Sequence, residues 1–184
     1  MNSLENHFLI AMPSLADSYF DKTVTYICEH NDEGAMGLIV NLPVNVTLNE
    51  LLSQLDEDKE YLPELTQRVL TGGPISPDRG FVLHSPQPGW SSSLALSNEV
   101  MITTSKDILM ALGSTKEPEN YMVTLGYAGW SPGQLEQEIK ANSWLTIAAD
   151  NEILFNTPIE QRWLKATEKL GINLANLSAD VGHA

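Results

Sequence analysis

The sequence of 184 residues has one cysteine, few basic residues and no long apolar run. The single cysteine, Cys28, excludes an intrachain disulfide, and a chain of this size without one is typical of the cytosol. The apolar run from Phe8 to Met12 is far too short for the core of a signal peptide. Nothing approaches the roughly 18 apolar residues of a membrane helix. We therefore predict a cytoplasmic protein without a membrane segment.

Basic residues are also too scattered for a nucleic-acid surface. The chain has 24 acidic and ten basic residues, which gives a formal net charge of −14. Binding DNA relies on clustered lysine and arginine that neutralise phosphates, so this balance disfavours direct binding to nucleic acid. Only Arg162, Lys165 and Lys169 come close to a cluster. Their spacing of three and four, interleaved with glutamates, predicts a solvent-exposed helix face.

The overall composition is that of one ordinary globular domain. Apolar residues make up 42% of the chain and charged residues 18%, and twelve glycines with ten prolines are too few for a disordered or fibrous protein. The length suits a single core that needs neither disulfide nor metal. We expect one domain over residues 1–184.

Strand patterns dominate the chain. Asn6–Met12 predicts a strand that ends before Pro13, and Thr23–His30 alternates before a turn at Asn31–Gly34 and a return strand at Ala35–Leu42, which together form a β-hairpin. Further strands are predicted at residues 68–71, 80–84, 93–96, 100–103, 122–127, 144–148 and 153–155.

Helix starts carry clear capping patterns. Thr47 to Glu50, Ser131 to Gln134 and Thr157 to Glu160 each place a hydroxyl residue three positions before Glu or Gln, which predicts three capped helices. A shorter helix is predicted over Lys106–Leu112, and the acidic run 56–60 is predicted to be an exposed loop. Strands and helices do not alternate regularly, so we predict an α+β fold with a mixed sheet.

The first candidate site is the glycine-rich block from Leu125 to Gln134. It runs from a strand into a helix start, where free backbone N–H groups favour an anion and small residues allow close approach. Its candidate ligand-binding residues are Gly126, Gly129, Trp130, Ser131 and Gln134. Alternatively, the glycines form a close turn, and Ser131 and Gln134 only cap the helix. The block matches no phosphate-binding loop motif, so nucleotide binding is weakly supported.

The second candidate site is the block from Thr71 to Gly80 with the strand that follows it. Its candidate ligand-binding residues are Gly72, Gly73, Arg79 and His84, because a guanidinium binds carboxylate or phosphate and a histidine titrates near neutrality. Alternatively, the block forms a turn with a salt bridge, and His84 caps the strand. A shared cleft would require the two glycine-rich blocks to converge in space.

No catalytic or metal set emerges. Cys28 and His30 are two residues apart on a strand, hence predicted on one face, but about 7 Å separates their Cβ atoms and no further ligands are spaced for a metal. We interpret Cys28 as a buried structural cysteine. Asp17, Asp21, Glu29 and Asp78 show no pairing set by spacing. We therefore predict no cofactor and no metal.

Four blocks together resemble a known family along the whole chain. They are FLIAMPSLADSYFDKTVTYICEHNDEGAMGLIVNLP, GGPISPDRGFVLHS, LGYAGWSPGQLEQEI with the following NSWL, and LFNTPIEQRW. In this order they resemble the AlgH/YqgE family of uncharacterised bacterial proteins, often labelled transcriptional regulators. The resemblance implies an α+β fold with a bifurcated β-sheet, partly closed into a small barrel and surrounded by about four helices. It implies no established reaction.

Three hypotheses about function follow. The favoured one is a non-catalytic binding or regulatory protein that acts through a small anionic ligand or a protein partner, in a groove formed by the two glycine-rich blocks. The second is an enzyme that acts on a small anionic metabolite, with Arg79 binding it and His84 carrying a proton. The third, a regulator that binds DNA directly, is disfavoured by the net charge of −14.

Overall fold

The computed structural model describes residues 2–12, 20–55 and 64–171, and the predicted acidic loop at 56–60 lies outside these ranges. The strands are β1 His7–Ala11, β2 Val24–Asn31, β3 Gly34–Ile39, β4 Pro43–Thr47, β5 Arg68–Thr71, β6 Ile75–His84, β7 Ser93–Ala95, β8 Met101–Thr103, β9 Tyr121–Trp130 and β10 Trp144–Ala148. The helices are α1 Leu48–Leu55, α2 Lys106–Ala111, α3 Gln134–Lys140, α4 Asn151–Phe155 and α5 Arg162–Lys169, with a short 3-10 helix at Ile159–Gln161.

The β-sheet divides into two wings that share strand β9. The first wing is β10-β1-β2-β3, and β3 pairs with the C-terminal part of β9 through Gly37 and Ala128. The second wing is β6-β8-β7, and β6 pairs with the N-terminal part of β9. β5 runs parallel to β9 on its other side and carries β4. The predicted mixed α+β fold with a bifurcated, partly closed sheet is confirmed.

Backbone contact between the two glycine-rich blocks makes this division possible. After pairing with β9 at Leu70, the chain crosses β9 at Gly72 and Gly73 and returns beside it as β6. A Cβ on Gly72 would lie 2.4 Å from the Gly126 carbonyl oxygen, and one on Gly73 would lie 2.1 Å from the Tyr127 carbonyl carbon. No side chain fits at that separation. The two blocks therefore converge, and they do so by backbone packing.

Apolar side chains fill both faces of the curled sheet. The largest cluster lies inside the curl and is covered by α4 and α5, with Phe8, Tyr26 and Leu83 buried at its centre. Helices α1 and α2 bury Leu48 and Ile108 against the second wing. A third cluster lies between α3 and the first wing.

Three local predictions differ from the structure. Residues 153–155, predicted as a strand, form part of α4, because the Asp150 carboxylate accepts the backbone N–H groups of Glu152 and Ile153 and so caps a helix there. The Thr157 hydroxyl donates to the Glu152 carbonyl at 2.9 Å and so bonds to the preceding helix. Helix α5 consequently begins later, at Arg162, after a 3-10 turn. Strand β4 was not predicted, and the described residues hold five α-helices where about four were expected.

The predicted solvent-exposed basic face of α5 is also wrong in part. Arg162 is buried, and its guanidinium donates to the carbonyl oxygens of Thr157, at 3.0 Å, and of Val40. Burial lowers the pKa of Arg162 to about 10, since desolvation disfavours the charged form. Lys165 and Lys169 are exposed as expected. Arg162 thus fastens α5 to the first wing and is not available to a ligand at the surface.

The glycine crossing predicts a sharp contrast between two Gly→Ala variants. Gly126 has φ +78°, and a Cβ there would lie 2.5 Å from the Gly73 carbonyl oxygen. We expect Gly126→Ala to lower the free energy of unfolding by about 2–4 kcal/mol, from backbone strain and overpacking together. Urea denaturation followed by circular dichroism measures this change.

Gly80→Ala is the matched control. Its Cβ would meet nothing closer than 4.0 Å, and its φ is not in the left-handed region. We expect its free energy of unfolding to stay within about 1 kcal/mol of the parent value, or to rise slightly. Equal destabilisation by the two variants would contradict the crossing as the reason for Gly126.

Candidate functional site

A cavity opens between the two wings of the sheet. Its volume is 390 Å³, within the usual range for small-ligand sites of about 300–1,000 Å³. We call it the wing cavity, and it is lined by Cys28, Glu29, Met36, Arg79, Ser92, Ser93, Leu94, Leu96, Ile102 and Thr104. The lining combines an apolar floor, three hydroxyl groups and one charge of each sign.

Arg79 reaches this cavity because β6 leaves its partner strand. The register between β6 and β9 shifts between Ile75 and Gly80, so the intervening residues do not pair with β9 and are exposed. The Arg79 guanidinium lies over the Phe81 ring, 5.2 Å from the ring centroid. Within the described ranges no carboxylate lies within 4.0 Å of it. Arg79 therefore carries a positive charge that no salt bridge neutralises there.

The floor of the cavity contains Cys28 at a β-bulge. The register between β2 and β3 shifts between Ile27 and Glu29, which makes Cys28 the extra residue. The predicted shared face of Cys28 and His30 is consequently wrong: Cys28 joins the core inside the curl, whereas His30 contacts Glu136 of α3. Burial raises the pKa of the Cys28 thiol and so disfavours the reactive thiolate. Cys28 is buried, as predicted.

His84 lies away from the wing cavity. It is fully buried at the far end of β6. Five residues, or roughly 16 Å along the strand, separate it from Arg79. Because side chains alternate between the two faces of a strand, this odd number of residues places His84 and Arg79 on opposite faces of β6. Its Nδ1–H donates to the Ser85 carbonyl and its Nε2 accepts from the Thr103 hydroxyl, both at 2.7 Å. Both ring nitrogens are thus satisfied within the protein, and this geometry does not support a proton carrier for a ligand on Arg79.

The other glycine-rich block borders a second cavity, of 260 Å³. We call it the aromatic pocket, and it is lined by Phe20, Pro74, Ile75, Ala128, Gly129, Trp130, Gln134, Glu138 and Trp144. Just before the helix start predicted as an anion site, the Gln134 side chain accepts the Ser131 N–H at 2.9 Å. Helix α3 begins after Gly133 without a side-chain cap, so only the glutamine half of the predicted capping pattern forms.

Seven of the nine candidate residues divide among three places, while His84 is buried at the far end of β6 and Ser131 is exposed just before α3. Arg79 lines the wing cavity, and Gly129, Trp130 and Gln134 line the aromatic pocket. Gly72, Gly73 and Gly126 form the buried crossing, where they have a packing role. The sequence patterns do not identify Met36, Leu96 and Ile102. Their apolar side chains line the wing cavity because the fold brings the two wings together. Glu138 was not predicted either, although its spacing of four residues from Gln134 on a helix indicates that the two side chains lie on the same face.

The described residues lack two further features. None of the helices among the described residues is long and apolar enough to span a membrane. No three histidine, cysteine, aspartate or glutamate side chains are grouped so that they could hold a metal ion in those residues.

Comparison with known proteins identifies the family. The family model described as AlgH-like matches residues 8–175. The chain belongs to the AlgH-like family. The resemblance drawn from the four sequence blocks is thereby confirmed.

Relatives and solved structures agree with the AlgH-like assignment. The chain is 63% identical to a UPF0301 protein from Colwellia psychrerythraea, with all of both chains covered, and 53% identical to a UPF0301 protein from Vibrio cholerae, with 99% of this chain and all of the relative covered. The solution structure of AlgH from Pseudomonas aeruginosa is 45% identical and superposes with a TM-score of 0.82, covering 97% of this chain and 96% of that one.

A more distant structure extends the fold beyond close relatives. The crystal structure of protein DIP2367 from Corynebacterium diphtheriae superposes with a TM-score of 0.70 at 18% identity, covering 92% of this chain and 88% of that one. At this identity the likeness concerns the AlgH-like fold alone.

Buried His84 predicts a pH-dependent loss of stability. Burial lowers the pKa of His84 below its ordinary value of 6.5, with the Ser85 carbonyl opposing the shift in part. Between the lowered pKa and 6.5, His84 is protonated in the unfolded chain but neutral in the folded protein. Its contribution to stability therefore falls as pH drops from 6.5 through the lowered pKa. His84→Gln removes this contribution, so we expect the free energy of unfolding to depend less steeply on pH between 7.5 and 5.

Urea denaturation of both proteins across this pH range provides the measurement. His7→Gln is the control, since His7 lies at the partly exposed start of β1. The explanation fails if His84→Gln and the unchanged protein lose stability in parallel as pH falls.

Proposed function

We propose that this AlgH-like protein is a non-catalytic binding protein that holds a small anion with an apolar portion in the wing cavity. The observation that carries the proposal is Arg79, a guanidinium at the cavity with no carboxylate within salt-bridge distance in the described parts of the chain. A guanidinium presents a planar fork that matches a carboxylate, and that of Arg79 is positioned over the Phe81 ring.

The remaining lining suits the rest of such a ligand. Met36, Leu96 and Ile102 offer apolar surface beneath the Arg79 charge. The Ser92 and Thr104 side chains bring hydroxyl groups that donate to or accept from a polar substituent. A few fixed polar groups above an apolar floor are the usual composition of a small-molecule site.

Glu29 restricts the charge of the ligand. Its carboxylate lines the same cavity and accepts from the Asn31 amide at 3.2 Å, and it lies beyond 4.0 Å from any basic group of Arg79. A second negative charge on the ligand would meet repulsion there. The cavity therefore favours a monoanion over a phosphate dianion, or a ligand with a positive group at the Glu29 end.

The two other hypotheses receive less support from the site. An enzyme would need a proton carrier or nucleophile at the cavity, whereas His84 faces away and burial raises the pKa of the Cys28 thiol. A regulator that contacts DNA directly would need a basic surface, which the net charge of −14 opposes. If the protein has a regulatory role, we expect ligand or partner binding to carry it.

Arg79→Gln tests the proposal. The substitution keeps most of the side chain and its hydrogen-bonding end but removes the charge. Octanoate, benzoate and inorganic phosphate are titrated into the protein by isothermal calorimetry and by following backbone amide signals in NMR spectra. We expect a carboxylate to bind and Arg79→Gln to weaken its affinity about tenfold to a hundredfold, the range for a lost charge-assisted hydrogen bond.

Two controls separate the charge of Arg79 from general effects. Arg68→Gln removes an exposed arginine that donates to the Val44 carbonyl outside the cavity, and it should leave carboxylate binding unchanged. Octanol lacks the carboxylate, so its binding should be the same with and without Arg79. If none of the three anions binds, or if Arg79→Gln and Arg68→Gln bind them equally, the proposal is wrong.

A further inference from the structure

The aromatic pocket is built differently from the wing cavity and has its own chemistry. Three rings form its walls, and successive rings stand nearly perpendicular: the centroids of Phe20 and Trp144 are 5.6 Å apart at 83°, and those of Trp130 and Trp144 are 6.3 Å apart at 78°. Pro74, just before β6, and Ile75, its first residue, are exposed at the edge of the pocket. The pocket is thus walled by aromatic rings and open to solvent.

One carboxylate is held rigidly at this pocket. The indole N–H groups of Trp130 and Trp144 both donate to Glu138 Oε1, at 3.2 and 3.0 Å. The Gln134 amide donates to Oε2 at 2.9 Å. These three neutral donors fix the orientation of the carboxylate against the rings.

No cation neutralises this carboxylate within the described part of the chain. The ion pairs there join His30 to Glu136, Lys165 to Glu168 and Lys169 to Asp150, and none reaches Glu138. The pocket lining likewise contains no lysine, arginine or histidine. A fixed negative charge among several aromatic rings is an arrangement that attracts an alkylammonium group, through charge pairing and cation–π contact together.

We infer that the aromatic pocket is a binding site for an alkylammonium cation, with Glu138 as its counter-charge and Phe20, Trp130 and Trp144 as its walls. The net charge of −14 assists, because the field of the whole protein raises the local concentration of cations. The site is separate from the wing cavity and does not depend on Arg79. The cation can belong to a small molecule or to a lysine side chain of a partner protein, and the experiment distinguishes these sources.

A purely structural role for Glu138 makes a different prediction. If the side chain only ties α3 to the two tryptophans, a neutral acceptor in its place serves as well. Glu138→Gln keeps a carbonyl oxygen for the two indole N–H groups and removes the charge. The variant therefore separates loss of the charge from loss of the hydrogen bonds.

The experiment follows the indole N–H signals of Trp130 and Trp144 in ¹H–¹⁵N NMR spectra, assigned by tryptophan substitution. Tetramethylammonium and choline represent small molecules, and a blocked Gly-Lys-Gly peptide represents a protein side chain. 3,3-Dimethylbutan-1-ol, the uncharged isostere of choline, reports binding that does not depend on charge. We expect at least one cation to shift both indole signals and to bind at least fivefold more weakly to Glu138→Gln.

The matched control is Glu152→Gln, an exposed glutamate on α4 outside the pocket, which should bind the cations like the unchanged protein. Phe20→Leu removes one wall while keeping the carboxylate, and it should also weaken the cations at least threefold if Glu138→Gln proves unstable. Binding of choline supports a small-molecule source, and binding of the peptide alone supports a partner protein. If no cation binds, or if Glu138→Gln and Phe20→Leu bind as tightly as Glu152→Gln, the inference is overturned.

Discussion

The structure depends on a backbone crossing in which two glycine-rich segments touch without side chains between them. Gly72 and Gly73 pass over β9 at Gly126, where any Cβ would lie within 2.5 Å of a main-chain atom. This contact lets β5 run parallel to β9 on one side while β6 returns antiparallel on the other. The curl of the sheet, the separation of its wings and the cavity between them all follow from that arrangement.

Much of the fold was readable from the sequence because its signals are local. The alternation before and after Asn31 predicted the β2–β3 hairpin, and the pattern beginning at Thr47 predicted α1. The strand prediction for residues 153–155 is wrong because Ile, Leu and Phe alone are typical of a strand. The Asp150 side chain upstream caps a helix, and the three residues belong to it. Elements beside a strong capping residue are therefore better predicted with that cap included.

The candidate site was less predictable because it depends on contacts that no local pattern records. The sequence singled out two glycine-rich blocks, yet it could not show that Gly72, Gly73 and Gly126 pack backbone against backbone where the blocks meet. A bulge at Cys28 reverses the alternation that would have placed His30 beside it. Arg162 illustrates the same limit, since its buried carbonyl partner on Val40 is 122 residues away in the chain.

Strand β9 has a consequence for how this fold can be divided. Ala128 pairs with the first wing and Val123 with the second, so β9 is a strand that both wings share. Neither wing can be excised, exchanged or duplicated as an independent module without exposing a long unpaired strand edge. The two wings therefore depend on each other, and the sheet has to form as one piece.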